Sequence, residues 1–158
     1  MELKFAKLNE AARIPFKAEE NAAGFDLVAN KFEYDGINEI VTYDTQIAVE
    51  IPEGYVGLLF PRSSVYKTDL ILANCVGVID SSYRGPIMLK YKTTGEKKNF
   101  YRAEERVGQL VIVENPYFIP VEVPYEELSK TRRGKGGFGS TGKWTRILTG
   151  IKIAKQEF

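Results

Sequence analysis

The segment GVIDSSYRGP, residues 77–86, places one carboxylate between a short apolar run and a tyrosine. Its two glycines and its apolar start predict a β-hairpin with Tyr83 at the tip. Val78 and Ile79 would partly shield Asp80 from water, and a carboxylate in such surroundings is a candidate general base for a water molecule. The alternative is that Asp80 only accepts an Asx-type hydrogen bond within the turn. This segment alone leaves both interpretations open.

A second polar segment, PRSSVYK at residues 61–67, follows the apolar run YVGLLF. Arg62 offers a planar cation, while Ser63 and Ser64 offer hydroxyls and backbone N–H groups. Together these donors suit a phosphate. An ordinary serine-rich turn with a surface arginine is the alternative interpretation.

Two polar side chains interrupt otherwise apolar strands. Asp26 lies within AGFDLVA, residues 23–29, and a buried carboxylate needs a partner such as an arginine or the water shell of a metal ion. A purely structural ion pair is the alternative. Gln109 lies within ERVGQLVIV, residues 105–113, and is either a satisfied core amide or a polar group that reaches into a site.

The segment RGKGGFGSTG, residues 133–142, combines five glycines with one phenylalanine. A flexible linker, a phosphate-binding loop and a mobile lid are the three interpretations. The Lys-Ser/Thr pair of a Walker P-loop does not follow the glycines. A lid explains Phe138 best, because the glycines leave the segment free to open and the ring can stack on a ligand when it closes. Arg133, Ser140 and Thr141 would then meet an anion.

The composition excludes several kinds of chemistry. The chain has 158 residues, which predicts one domain, and a formal net charge of +1, which does not favour nucleic acid or membrane surfaces as partners. It has no histidine, so catalytic Ser-His pairs, imidazole bases and most zinc sites are excluded. Cys75 is the only cysteine, which indicates a reducing compartment. With no membrane-spanning run and no secretory signal, we expect a cytoplasmic protein, or one in the host cytoplasm if it is viral.

Short runs of β-branched and aromatic residues, separated by Gly, Pro, Asn and Asp, must position these groups. Two of them, QIAVEI and IMLKYK, alternate roughly as half-buried strands do. Many short strands with little helical pattern predict an all-β sandwich or barrel.

Five segments occur in the order AGFDL, PRSS, GVIDSSYRG, ERVGQL and RGKGGFGSTG, between residues 23 and 142. Together they resemble the five motifs of the trimeric, all-β dUTP pyrophosphatases (dUTPases). The resemblance implies a jelly-roll-like (β-clip) barrel at residues 1–132, a swapped glycine-rich active-site arm at 133–142, and a C-terminal extension of unknown role at 143–158. It also implies a homotrimer whose active sites are shared between subunits.

The resemblance further implies the reaction. Water attacks the α-phosphate of dUTP in line, with Mg²⁺ on the triphosphate, and gives dUMP and pyrophosphate. This lowers dUTP and supplies dUMP for dTMP synthesis. Asp80 resembles the base, and Arg62 and Gln109 resemble the other catalytic groups. Asp26 resembles an acid that supports either the water shell of the metal or the neighbouring arginine.

The remaining motif residues resemble those that bind the nucleotide. Tyr83 would pack under the deoxyribose, and Asn74 with the backbone around Val78, Ile79 and Met88 would bind the uracil edge. The phosphate and arm contacts implied by the resemblance come from Arg62, Ser63, Ser64, Gln109, Arg133, Phe138, Gly139, Ser140 and Thr141.

Three features depart from the family pattern. Ser64 stands where glycine is common, and Lys135 stands where an acid is frequent. The extension at residues 143–158 has apolar residues at helical spacing, which predicts either packing on its own trimer or docking of a protein partner. Two other functions are alternatives: a dUTP-sensing regulatory protein on the same scaffold, and an enzyme related to dCTP deaminases, although GVIDSSYRG lacks the glutamate base of that class.

Overall fold

The chain folds into short β-strands. The computed structural model describes residues 1–95 and 97–137, and this part of the chain contains no α-helix. The prediction of an all-β protein is confirmed, and none of the described residues belong to a helix that is long and apolar enough to cross a membrane. The elements are β1 (Lys4–Lys7), β2 (Phe25–Val28), β3 (Lys31–Asp35), β4 (Ile40–Asp44), β5 (Ile47–Glu50), β6 (Tyr55–Phe60), β7 (Leu70–Leu72), β8 (Gly77–Ile79), β9 (Met88–Thr93), β10 (Arg106–Glu114) and two 3₁₀ turns, Ser63–Lys67 and Tyr125–Glu127.

The strands form three antiparallel sheets. One sheet has the order β2-β10-β6-β8, a second has the order β3-β4-β9-β7, and β1 pairs with β5 in a small third sheet. Strands that are neighbours in space are often far apart in sequence, as β2 and β10 are. The sequence segments with polar groups are therefore brought together by the sheets rather than by local turns.

Apolar side chains from all three sheets fill one core. Leu27 of β2, Tyr43 of β4, Ile47 of β5, Leu89 of β9 and Leu110 of β10 are almost fully buried. Burial of one such aliphatic side chain stabilises the fold by about 1.5–3 kcal/mol. The core therefore gives the polar groups at its edges a rigid support.

The strand patterns are only partly as predicted. In β9 exposed and buried residues alternate, which confirms the prediction for IMLKYK. In β5 the first three residues are all buried, so the alternation predicted for QIAVEI is wrong. Both faces of β5 lie against other parts of the chain, and a strand buried on both faces has no reason to alternate.

The predicted hairpin at residues 77–86 is wrong. Strand β8 pairs with β6, whereas β9 pairs with β4 and β7 in the other large sheet. The backbone of Ile87, just before β9, is bonded elsewhere: its N–H donates to the carbonyl of Ile47 at 2.8 Å, and its carbonyl accepts from the N–H of Thr45 at 3.1 Å. The chain therefore passes from one sheet to the other between β8 and β9.

The chain divides into two compact units, residues 1–118 and a second unit that begins at Ile119. The second unit contains the 3₁₀ turn Tyr125–Glu127 and residue Arg133. Four predicted arm residues, Phe138, Gly139, Ser140 and Thr141, lie outside the described residues, as does the extension at 143–158.

Candidate active site

A buried carboxylate joins three of the sequence segments singled out above. Asp26 on β2 is only 3% exposed. Its Oδ2 accepts a hydrogen bond from Nη1 of Arg106 at 2.9 Å, and its Oδ1 accepts one from Nε2 of Gln109 at 3.4 Å. The Nε of Arg62 lies 3.3 Å from Oδ1 as an ion pair, and this buried nitrogen has no hydrogen-bond partner among the described residues.

These contacts explain how a carboxylate can be buried here. Moving an unpaired carboxylate out of water is strongly unfavourable, and two guanidinium groups compensate for that loss. In return, Asp26 fixes the side chains of Arg62 and Gln109 at one point, although they come from different segments. Of the two predicted roles of Asp26, its contacts support the one through the neighbouring arginine.

A β-bulge in β10 makes this arrangement possible. Arg106 pairs with Val28 and Gly108 pairs with Leu27, so Val107 is an extra residue without a partner on β2. In a regular strand, residues three apart point to opposite faces of the sheet. The bulge shifts this alternation, and Arg106 and Gln109 therefore reach the same carboxylate.

The serine-rich segment forms the 3₁₀ turn Ser63–Lys67 directly after β6. The N–H of Val65 donates to the carbonyl of Arg62 at 2.9 Å, and the hydroxyl of Thr68 donates to the carbonyl of Val65 at 2.7 Å. The Ser64 hydroxyl lies 3.4 Å from the Tyr101 hydroxyl. Ser64 is not among the residues with positive φ, so serine fits without strain where glycine is common in the family pattern.

A cleft of about 530 Å³ opens beside Arg62 and Ser64. Four cationic side chains line it, and the two acids among its lining residues, Glu104 and Glu105, reduce its net positive charge. One of these acids, Glu104, lies 3.6 Å from Arg13 as an ion pair. The cationic lining residues are Arg13, Arg62, Lys67 and Arg106.

A second cleft of about 340 Å³ lies where β8 and β9 separate. Its lining is mostly apolar and includes Asn74 and Met88. Asn74 belongs to a tight turn in which Cys75 has a φ of 60° and the N–H of Val76 donates to the Asn74 carbonyl at 2.6 Å. Because β8 is the last strand of its sheet, one side of its backbone is free for a ligand.

The segment after β8 presents Asp80 and Tyr83. The N–H of Tyr83 donates to the Asp80 carbonyl at 3.0 Å, and its hydroxyl donates to the Pro86 carbonyl at 3.0 Å. Gly85 lies directly under this ring, since a Cβ there would be 2.4 Å from the tyrosine oxygen. Only a residue without a side chain allows the ring to keep this position.

Asp80 differs from its prediction in two respects. Its carboxylate accepts no hydrogen bond from the described residues, so the Asx-turn alternative is wrong. The shielding predicted from Val78 and Ile79 is also not provided by this chain alone, because Asp80 and Val78 are both exposed. The carboxylate is therefore free to meet a ligand.

The structure brings together some of the predicted site residues and separates others. Asp26, Arg62 and Gln109 meet at one point, and Asn74 and Met88 line one cleft. The two clefts share no lining residue. In the second unit, Nε of Arg133 donates to the carbonyl of Gly136 at 2.9 Å.

Sequence reasoning missed the role of Arg106. Its side chain contacts Asp26 more closely than that of Gln109 does. The arginine is present in ERVGQL, but it is three residues from Gln109. That spacing places the two side chains on opposite faces of a regular strand, so the sequence did not indicate that both reach Asp26. Gly108 was the only signal of a bulge.

The described residues contain no group of three or more carboxylate or thiol side chains that could hold a metal ion. Both oxygens of Asp26 are already engaged by protein groups. This donor set fits a Mg²⁺ ion that arrives on the phosphate oxygens of a ligand, since Mg²⁺ often keeps several waters and binds few protein groups.

Comparison with known proteins identifies several similar chains. A sequence model of the dUTPase family matches residues 10–142. The deoxyuridine 5'-triphosphate nucleotidohydrolase of Escherichia phage T5 is 38% identical over 148 residues, which cover 86% of this chain and 96% of the relative. A mutant dUTPase of Staphylococcus bacteriophage 80alpha with dUpNHpp has a TM-score of 0.77 and 29% identity, and the match covers 90% of this chain and 99% of that one. A mutant dUTPase of phage phi11 of S. aureus, whose structure reveals the coordination of a structural Mg(II) ion, has a TM-score of 0.66 and 28% identity, with 80% of this chain and 99% of that one covered.

Proposed function

Because this chain belongs to the dUTPase family and is a dUTP diphosphatase, we propose that dUTP binds at the two clefts and at the Asp26 group, and that it is hydrolysed there to dUMP and pyrophosphate. The Asp26 group consists of Asp26 and its partners Arg62, Arg106 and Gln109. The observation that carries the residue assignment is the convergence of Arg62 and Gln109 on buried Asp26. Positively charged and amide groups held rigidly at one point can bind phosphate oxygens without rearranging.

Asp80 is the proposed general base. It accepts a proton from a water molecule whose oxygen forms the new bond to the α-phosphorus. The bond between the α-phosphorus and its bridging oxygen breaks, and pyrophosphate leaves with that electron pair. The exposed Asp80 carboxylate, which accepts no hydrogen bond from the described residues, is available for this contact.

Arg62, Ser63, Ser64 and Gln109 bind the phosphates in this proposal. The start of the 3₁₀ turn supplies hydroxyls, and Arg62 supplies a cation whose direction Asp26 fixes. These residues leave the phosphate oxygens free to carry Mg²⁺, which would neutralise part of the phosphate charge. Positioning and charge stabilisation are the main contributions that phosphoryl chemistry needs from a protein.

The smaller cleft is the proposed uracil site. Asn74 supplies an amide, and the backbone of Val78, Ile79 and Met88 supplies donors and acceptors at the point where β8 has a free edge. A flat base between β8 and β9 can bond to this edge as a neighbouring strand would. The ring of Tyr83 would then lie under the sugar, where it would clash with a 2′-hydroxyl.

We also propose that the enzyme is a homotrimer with shared sites. The separation of the two clefts on one chain supports this, because phosphate and base groups of different subunits can then meet at an interface. In this proposal an arm from a further subunit completes each site. Its Arg133 binds the γ-phosphate and its Phe138 stacks on uracil, with Gly139, Ser140 and Thr141 beside them. A cytoplasmic location and a protein partner for residues 143–158 remain predictions from the sequence.

The experiment that tests the assignment measures pyrophosphate release by the full-length protein from dUTP, dTTP, dCTP and UTP, each with Mg²⁺. We expect release from dUTP alone, and its loss in Asp80→Asn with binding of dUpNHpp retained. Asp35→Asn removes an exposed carboxylate at the end of β3, away from both clefts, and is the control for a change of charge alone. Unchanged turnover in Asp80→Asn would refute the role of Asp80.

The same experiment separates the alternatives. Binding of dUpNHpp by the wild-type protein without turnover would favour the dUTP-sensing regulator. Release of ammonia from dCTP would favour an enzyme related to dCTP deaminases.

A further inference from the structure

A hydrogen bond from a buried tyrosine holds the bulge in β10. The hydroxyl of Tyr91, on β9, donates to the carbonyl of Val107 at 2.6 Å, and both residues are fully buried. Val107 is the extra residue that brings Arg106 and Gln109 onto one face. The bond therefore acts at the point on which the geometry of the Asp26 group depends.

The surroundings leave Tyr91 little freedom to move. Its ring packs edge-on against Tyr43 at 5.8 Å and against Tyr101 at 6.4 Å between centroids. A Cβ at Gly108, the residue after Val107, would lie 2.3 Å from Cδ2 of Leu89 and 3.0 Å from the carbonyl oxygen of Phe60. Packed side chains and backbone thus contact the bulge at Gly108, and the tyrosine hydroxyl bonds to it at Val107.

We propose that Tyr91 is a positioning residue for Gln109, acting through the bulge at Val107. This inference rests on the proposed role of Gln109 in binding the phosphates or the attacking water. Loss of the hydroxyl would let the bulge relax towards a regular strand, in which Arg106 and Gln109 face opposite sides of the sheet, and Gln109 would lose its fixed position beside Asp26. Displacements of about 1 Å in a group of this kind can reduce a rate by up to about a hundredfold.

The test compares Tyr91→Phe with Tyr43→Phe in the full-length protein. Tyr43 is a matched control, because it is equally buried and its hydroxyl also donates to a backbone carbonyl, that of Tyr101, at 3.0 Å. We expect both variants to lose similar thermal stability. Only Tyr91→Phe should lose kcat/KM for dUTP, by about tenfold, because only its partner carbonyl lies at the bulge.

A double-mutant cycle with Gln109→Ala gives the readout that a merely structural role would not change. If Tyr91 acts through Gln109, the loss in kcat/KM caused by Gln109→Ala should be much smaller in the Tyr91→Phe background than in the wild type. Fully multiplicative losses would overturn the inference. Equal kinetics of Tyr91→Phe and Tyr43→Phe would also overturn it.

The controls separate this inference from the proposed function. Absence of dUTP hydrolysis by the wild-type protein, or full activity of Gln109→Ala, would overturn the proposed site and the inference with it. An active wild type, an impaired Gln109→Ala and an unimpaired Tyr91→Phe would overturn the inference alone.

Discussion

Replacing Asp26 by asparagine removes one charge from the centre of the site while keeping the shape of the side chain. In the wild type, Oδ1 faces Nε of Arg62 at 3.3 Å and Nε2 of Gln109 at 3.4 Å, and Oδ2 faces Nη1 of Arg106 at 2.9 Å. All three neighbours present N–H groups. Whichever way the new amide lies, its NH₂ group must face at least one of these donors.

The expected destabilisation follows from the burial of each partner. Removing one member of a buried ion pair costs about 3–5 kcal/mol. The side chains of Arg62 and Arg106 are 23% and 41% exposed, so water recovers part of this loss. We therefore expect Asp26→Asn to lower the free energy of unfolding by about 2–4 kcal/mol, or the Tm by about 4–16 °C for a domain of this size.

The assay pairs thermal unfolding at fixed protein concentration with dUTP hydrolysis. Arg62 and Gln109 lose the group that orients them, so kcat/KM should fall by at least about tenfold. Adding Arg106→Gln to Asp26→Asn removes one uncompensated cation and should restore part of the stability. A Tm and a kcat/KM equal to those of the wild type would refute the conclusion that Asp26 organises the site.

Two further predictions concern Tyr83 and the buried tyrosines. Gly85→Ala should displace the ring of Tyr83, since the new methyl group would lie 2.4 Å from its oxygen, and the selectivity for dUTP over UTP in a competition assay should fall; unchanged selectivity would contradict the role of this ring under the sugar. Burial raises the pKa of Tyr91 and Tyr43 above the ordinary tyrosine value of about 10. Each tyrosine therefore contributes stability that is fully present below about pH 10 and is lost as the pH rises towards the raised pKa of the folded state, with a slope of about 1.4 kcal/mol per pH unit. The free energy of unfolding, measured with urea, should fall less steeply with pH between about pH 10 and 11 for Tyr91→Phe than for the wild type. Equal dependence on pH in the two proteins would contradict this.

The order of the five sequence segments was sufficient to indicate the family and the reaction. Local signals were also sufficient where one element decides the outcome. The alternation in β9 follows from its own residues, and the serine-rich segment does form a turn next to a cationic cleft. These features depend on neighbours in sequence.

The features that sequence reasoning missed depend on distant parts of the chain. The hairpin at residues 77–86 was wrong because the backbone of Ile87 bonds to Ile47, forty residues earlier in the chain. Nothing in the segment itself says which sheet each of its ends will join. In the same way, Asp26 could have supported a metal-bound water or an arginine, and only the pairing of β2 with β10 places Arg106 beside it.

The pairing of β2 with β10 also constrains how the protein is made. Asp26 is separated by 80 residues from Arg106 and by 83 from Gln109. During synthesis, β2 leaves the ribosome long before β10 has been made. The carboxylate of Asp26 therefore stays hydrated until β10 can pair with β2. Contacts between residues so far apart in sequence slow folding, because the chain must lose the entropy of closing a long loop before the contact can form. The acquisition of dUTP affinity during refolding would therefore report a late event, after much of the β-structure has formed.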